Sequence, residues 1–344
     1  MAEQFRMTDG PLLDEQGRLM EKGYQTYLSR TYDRSAIKAC SLRIKEWDYY
    51  CICSPEAVLA LTIADNSYMG LDSITLLNIG EKWQHTNSPM RIMTLGKTGL
   101  PATSVEGDVS VAGKGYSISF KNDGKVRTLD VHMDNFAKGL PIDAHVVLSG
   151  VPEDSMVIAT PFAGAPKAFY YNQKINCLLA EGQVTFDGRT YEFHNEDSMG
   201  VLDWGRGVWT YSNTWYWSSL SGRIDGVPFG FNLGYGFGDT SAASENMLFL
   251  DGKAYKLDEV TFDIPKTADG KDDFYATWTV KDNRGELDLT FTPILDRASL
   301  TSVLVIESDQ HQVFGYFDGV CRFGDKELKL DHMFGFAEKV KNRW

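Results

Sequence analysis

The chain has no run of about 18 apolar residues, so it offers no helix able to cross a membrane. Its first residues, "MAEQFRMTDGPLLDEQG", are polar and acidic and lack the apolar core of a secretory signal; a cytoplasmic location is expected. Histidine is scarce, six in 344 residues, and never recurs at metal-ligand spacing, so no zinc site is expected. The five cysteines (Cys40, Cys51, Cys53, Cys177, Cys321) are odd in number and form no CxxC pair backed by a second pair; they read as small buried hydrophobes. Cys51 and Cys53, at i and i+2, should face one side of a strand. There is no GxSxG elbow, Walker loop or HExxH helix. Lys and Arg number 34 against 47 Asp and Glu, for a net charge of −13, and the basic residues are scattered. That balance speaks against nucleic acid and anionic membranes as partners and favours solubility.

What remains is ordinary globular composition, 43% hydrophobic and 24% charged, in a chain long enough for two domains. The opening 40 residues, with "MEKGYQTYLSRTYDRSAIK", suggest a short helical segment. After them, "RIKEWDYYCICS", "AVLALTIADNSY" and "DSITLLNIGEKWQ" are rich in β-branched and aromatic residues and broken by short polar stretches. Turn signals recur at "NDG" (122–124), "FDGRTYEF", "IDGVPFGF", "LDGKAYKL" and "NRG" (283–285), where Asp-Gly between alternating apolar residues marks a tight hairpin. The expected fold is all-β: antiparallel meanders closed into barrels, which removes exposed edges.

Four of the eight tryptophans, Trp204, Trp209, Trp215 and Trp217, fall within "LDWGRGVWTYSNTWYWSSLSG". The next strand, "FGFNLGYGFG", alternates Phe229, Phe231, Leu233, Tyr235 and Phe237 with Gly230, Asn232, Gly234, Gly236 and Gly238. Glycine weakens a strand unless something packs on it. If the two strands form a hairpin, Trp215 or Trp217, or a ligand pocket, should lie against that bare face, with Asn232 its one hydrogen-bonding side chain. Aromatic walls are the usual character of a small-molecule site. Candidate ligand contacts are therefore Trp204, Trp209, Tyr211, Trp215, Trp217, Asn232, Tyr235 and Asn246. Asp203 and Arg206 fit either a structural ion pair or a general acid with its orienting cation. Asp239 and Glu245, in "GDTSAASEN", fit either a polar loop or further carboxylates at a pocket mouth. Gly234, Gly236 and Gly238 do not spell GxGxxG, so no dinucleotide is implied.

The segments "LDWGRGVWTYSNTWYWSSLSG", "GFNLGYGFGDTSAASEN", "IKEWDYY", "TIADNSYMG", "FYYNQKINC" and "SDQHQVFG" resemble a bacterial family catalogued as domain of unknown function number 2804, over nearly the whole chain. More remotely, "AEGQVTFDGRTYEFHNEDSMGVLDWGRG" followed by "TWYWSSLSGRIDGVPFGFNLGYG" is similar in layout to carotenoid hydratase and AttH-like proteins. There, an Asp-His-Asn or Asp-His-Glu box and Trp-Gly close a first lipocalin-like barrel. Asp203 matches the leading Asp of that box and Gly205 its glycine, while Trp204 stands in place of its His. The resemblance implies two lipocalin-like (calycin-type) barrels in tandem, 1–207 and 208–344, with a cavity at their junction. It also implies a cofactor-independent lyase or isomerase that hydrates, cyclises or isomerises a hydrophobic, unsaturated small molecule. In that reading Asp203 protonates the substrate, Arg206, Asp239 and Glu245 orient it, and Trp209, Trp215, Trp217 and Tyr235 shape the cavity. A non-catalytic carrier of a lipophilic ligand and a two-carboxylate carbohydrate hydrolase are the alternatives.

Overall fold

A computed structural model describes residues 4–303, 306–324 and 326–343. Its strands form two large antiparallel sheets and one two-stranded parallel pair, Gly10–Pro11 with Arg30–Thr31. The expected helix near the N-terminus is absent: residues 4–43 hold three short strands and two single-turn 3₁₀ helices, Arg34–Ala36 and Ser41–Arg43. Two causes are visible. Asp33 turns its side chain onto the backbone N–H of Ser35, the local competition that makes Asp a turn residue. And Gly23–Gln25 is taken up as an extra strand beside Met156–Phe162, which satisfies its backbone without a helix too short to stand alone.

The first sheet has fourteen strands. A meander, Ile44–Cys53, Ala57–Asp65, Met69–Asn78 and Trp83–Asn87, lies on one side of the strand Met199–Val208, and the 22-residue strand Ala165–Phe186 lies on the other. The sheet curls until the Asn87 side chain donates to the carbonyls of Asn135 and Phe136 on the far side. Its interior is one apolar core that includes Ile52, Leu59, Ile63, Leu148, Ile175 and Leu202. The second sheet has nine strands, with Val227–Tyr235, Ser212–Ile224, Lys326–Arg343, Ile306–Phe323 and Leu287–Val303 adjacent in that order. Phe229, Phe231, Leu233, Trp278, Phe291 and Phe317 fill its inside. The architecture is thus all-β and antiparallel, as the turns foretold, and lipocalin-like, as the resemblance implied. At each of Asp187–Gly188, Asp225–Gly226 and Asp251–Gly252 both residues have φ between +50° and +80°, as a tight hairpin turn requires.

The parity of the Ser212–Ile224 and Val227–Tyr235 pair decides what faces what. Directly opposed residues share a face, and the register sets Trp217 opposite Gly234, Ser219 opposite Asn232 and Ser221 opposite Gly230. The phenylalanines point into the second core; the glycines and Trp217 point at the first sheet. There, Asn176 and Cys177 sit at a bulge in the long strand and press on the pair. The Asn176 amide donates to Ser219 Oγ and to the carbonyls of Leu220 and Phe231. A Cβ added at Gly230 would stand 2.8 Å from Cys177 Sγ, so this glycine lets the two sheets touch. Tyr49, Cys51, Val201, Trp217, Phe314 and Phe336 complete an apolar seam between the sheets.

Candidate active site

Two cross-strand rows meet at that seam. On the first sheet Tyr49, Asp203 and Lys174 are direct neighbours across three strands. On the second, Arg297, Gln312, Glu338, Trp217 and Gly234 are neighbours across five. Lys174 Nζ lies 3.0 Å from Asp203 Oδ1 and 4.3 Å from the Trp217 ring centroid, so the ammonium is held between a carboxylate and a π-face. Asn172 donates to Asp203 Oδ1 at 2.6 Å and to the Trp204 carbonyl at 2.8 Å. Its own Oδ1 is buried and has no hydrogen-bond partner among the described residues. Trp217 donates to Asn232 Oδ1, whose amide donates to the Glu245 carbonyl. The Glu245 side chain lies over Gly234, where an added Cβ would come within 2.7 Å of the carboxyl group. So a buried carboxylate, together with the seam itself, covers the bare glycine face, and Trp217 flanks it. On the other wall Trp215 donates to Glu338 Oε1 at 2.7 Å, Gln312 donates to Glu338 Oε2 at 3.2 Å, and Arg297 donates to Gln312.

Three carboxylates, Asp203, Glu245 and Glu338, are thus gathered with the Lys174 ammonium in one buried polar cluster, the chamber between the sheets. Burial raises Glu245 above the ordinary glutamate range; the Lys174 charge opposes that rise and the Asp203 charge adds to it. Burial pushes Glu338 up to about 7, against the hydrogen bond from Trp215 and the charge of Lys174. Tyr170 is driven well above the usual phenol value by burial and by the charges of Glu245, Asp203 and Glu338. A carboxyl that titrates near neutrality beside an ion-paired one is the pairing that acid–base catalysis needs.

Above this chamber stands a box of rings. Trp47 stacks on Tyr170 at 6.2 Å and meets Trp209 edge-on at 5.3 Å. Phe237 fills the centre, edge-on to Tyr170, Trp209 and Trp215 at 4.8, 4.8 and 5.3 Å. It stands between Gly236 and Gly238, both at positive φ (92° and 74°), a backbone path that suits glycine alone. Trp47 lies flat on Gly205, where a Cβ would stand 2.0 Å from its indole. Gly205→Ala must therefore expel the Trp47 ring from its stack, and it is expected to cost about 1–3 kcal/mol of stability in equilibrium unfolding, with a changed tryptophan emission.

A single family model matches residues 3–344. The chain belongs to the DUF2804 family, described as a domain of unknown function. No curated protein matches it in sequence. Among solved structures, the DUF2804 chain is similar in fold to a protein assigned as AttH from Nitrosomonas europaea, at 12% identity and TM-score 0.53, covering 86% of this chain and 92% of that one. It is similar to CghA at 10% identity and TM-score 0.55, covering 98% and 97% of the two chains. CghA with Sch210972 gives 12% identity, TM-score 0.52 and coverage of 87% and 88%.

The DUF2804 chain distributes the sequence-derived candidates unevenly. Asp203, Glu245, Trp215, Trp217 and Asn232 line the chamber, and Trp209 belongs to the ring box above it. Trp204 and Arg206 have the opposite parity to Asp203 for the ring and the guanidinium, and lie inside the first barrel. There Arg206 pairs with Asp48, not with Asp203, its Nη2 2.9 Å from Asp48 Oδ1. Tyr235 stacks on Tyr216 within the second barrel and accepts a bond from the Phe262 N–H. Asn246 is a backbone clamp that accepts from Gly234 N–H and donates to the Asp258 carbonyl. Asp239 caps its own loop through the Ser241 N–H and faces Lys22 at 3.8 Å, away from the chamber, and Tyr211 is exposed. Lys174, Glu338, Trp47 and Phe237 enter the site without having been singled out for it. Glu338 did carry a signal: it shares strand parity with Phe334, Phe336 and Val340, a charge where an apolar residue belongs.

Proposed function

We propose that the protein is a cofactor-independent enzyme acting on a hydrophobic, unsaturated small molecule, by hydration, cyclisation or isomerisation, in the chamber between its two sheets. The observation that carries this reading is Glu338, a carboxyl poised to hold a proton near neutrality, across from the Asp203–Lys174 pair and beneath aromatic walls. Glu338 donates a proton to the polarised double bond. Asp203, steered by Lys174 and Asn172, accepts a proton from water or from the carbon that loses one, so the net proton count is unchanged. The faces of Trp217 and Trp215 stabilise positive charge developing on the substrate, and Glu245 tunes the field. Arg206 and Asp239 have no part in this scheme. Phe237 leaves the ring box, turning about its two flanking glycines, to admit the substrate, and its return excludes water. That CghA, which shares the fold, is crystallised with Sch210972 supports a small-molecule occupant.

The test begins with native mass spectrometry of protein purified from its own host. An isoprenoid, sterol or acyl-chain mass is the expected companion, and a sugar would overturn the reading in favour of carbohydrate processing. With that ligand in hand, Asp203→Asn should abolish turnover and leave affinity within about three-fold of the parent, because the substitution removes an acid–base group and keeps its shape. A ligand that the parent protein binds and returns unchanged would make the protein a carrier.

A further inference from the structure

The outward row of the Ile44–Cys53 strand runs on from Tyr49 and Trp47 to Lys45, which lies outside the chamber. Lys45 is buried, yet among the described residues no carboxylate lies within ion-pair reach of it. Its Nζ contacts the carbonyls of Asn66 (3.0 Å) and Leu42 (3.5 Å) and the face of the Tyr68 ring, 4.1 Å to the centroid. The nearest acid on the next strand, Asp65, is already committed: it accepts from the N–H groups of Ser67, Gly96 and Thr98 and from the hydroxyls of Thr94 and Thr98. Among the described residues Arg43 likewise has no carboxylate partner, and its guanidinium donates to the Trp209 carbonyl. The Tyr68 hydroxyl is buried and makes no hydrogen bond among the described residues. These three groups, with Leu42 and Trp209, line a cavity of about 190 Å³.

Two cations with no carboxylate partner and a phenol with no hydrogen bond among the described residues, around one cavity in a protein of net charge −13, form a local inversion of the molecule's field. A cationic ligand would meet Lys45 and Arg43; a neutral apolar one would leave the Tyr68 hydroxyl and the Lys45 ammonium unanswered at a cost. A multiply charged anion would meet the apolar walls and the repulsion of the acidic chain. We propose that this cavity is a second binding site, which takes the carboxylate of a small hydrophobic acid, with Lys45 and Arg43 as its anchor, Tyr68 as hydrogen-bond donor, and Leu42 and Trp209 against its apolar body. It stands apart from the acid–base chamber and is linked to the ring box above it by Trp209, whose ring also packs against Trp47, Trp215 and Phe237. Burial, with the Arg43 charge adding to it, pushes the Lys45 ammonium down to about 7, while Asp65 opposes that shift. A bound carboxylate would hold the proton on Lys45, so affinity falls as pH rises above about 7 and the free amine gives up its charge. Arg43, Asp65 and Tyr68 are the charged and titratable groups that face it.

Octanoate is the probe and octanol its neutral match, both titrated calorimetrically into the full chain at pH 6.5, with tryptophan emission followed in parallel. Octanoate should bind one to one and at least about ten-fold more tightly than octanol, the order expected of hydrogen bonds to a charged group. Lys45→Met should bring octanoate down to the level of octanol, and Asp203→Asn should leave it unchanged. Should Lys45→Met fail to fold by near-ultraviolet circular dichroism, Tyr68→Phe is to be read in its place, with a loss of about three-fold or more. Equal affinity for acid and alcohol, no binding of octanoate, an affinity indifferent to pH between 6.5 and 8.5, or a loss shared by Asp203→Asn would each overturn the proposal.

Discussion

Replacing Arg206 with leucine is expected to cost about 3–5 kcal/mol of folding free energy, the range for removing one partner of a buried ion pair. Its guanidinium is fully buried inside the first barrel. It donates to Asp48 Oδ1, to the carbonyls of Trp47 (2.7 Å) and Gly205 (2.8 Å), and to Pro101 (2.7 Å), and it lies 4.3 Å from the Trp204 ring. Leucine would fill the volume and leave Asp48 with an uncompensated charge. Burial already raises Asp48 above the usual aspartate range, and Arg206 is what opposes that rise. The loss should therefore be greatest near pH 8 and shrink in acid, where Asp48 takes up a proton. Lysine should rescue little, since one ammonium cannot reach carbonyls arranged for a planar fork. Denaturant titrations at pH 5 and pH 8 check this, and a loss below about 1 kcal/mol at both would show that the Pro101 loop and the ring packing hold the barrel without the charge.

Glu338→Gln is expected to act in the opposite direction on stability and to remove activity. The folded protein holds Glu338 at about 7, above the ordinary 4.5, so the folded state binds its proton more tightly than the unfolded one. Stability linked to that proton is fully present below the unfolded value and is lost as pH rises through about 7. Glutamine carries no charge to bury and retains an oxygen for the Trp215 indole. It should add about 1–3 kcal/mol at pH 8 and nothing at pH 4. On the proposed chemistry the same change removes the proton donor, so turnover should fall by about a hundred-fold or more, and the parent's rate should decline above pH 7. A variant no more stable at pH 8 would mean that the carboxyl is better solvated than its place in the seam suggests.

Much of the architecture was legible because turns and parity are local properties. Asp225–Gly226 fixes the hairpin, the hairpin fixes the register, and the register places Trp217 opposite Gly234 without any knowledge of the rest of the chain. The N-terminal segment misled because Gly23–Gln25 takes its structure from Met156–Phe162, more than a hundred residues away. The chamber was legible in its second-sheet half, where tryptophans and glycines crowd one stretch. Its other half came from residues whose meaning depends on long-range pairing: Lys174 reads as a polar residue in "FYYNQKINC" until Met199–Val208 sets Asp203 beside it. Asp203 and Arg206, three apart in a strand, have opposite parity, and that alone separates one from the other; adjacency in "LDWGRG" concealed it.

The place of Lys326–Arg343 has a consequence for how the molecule is made. That strand lies in the middle of the second sheet, between Ser212–Ile224 and Ile306–Phe323, although it is the last described strand to leave the ribosome. Until it arrives, two long strands present open edges, and edges of that length invite pairing with other chains. Glu338 arrives on the same strand, so the segment that seals the sheet also completes the chamber. A chain stopped short of it would be prone to aggregate before it could be tested for activity, and loss of function from a lesion in Lys326–Arg343 should first be read as loss of soluble protein.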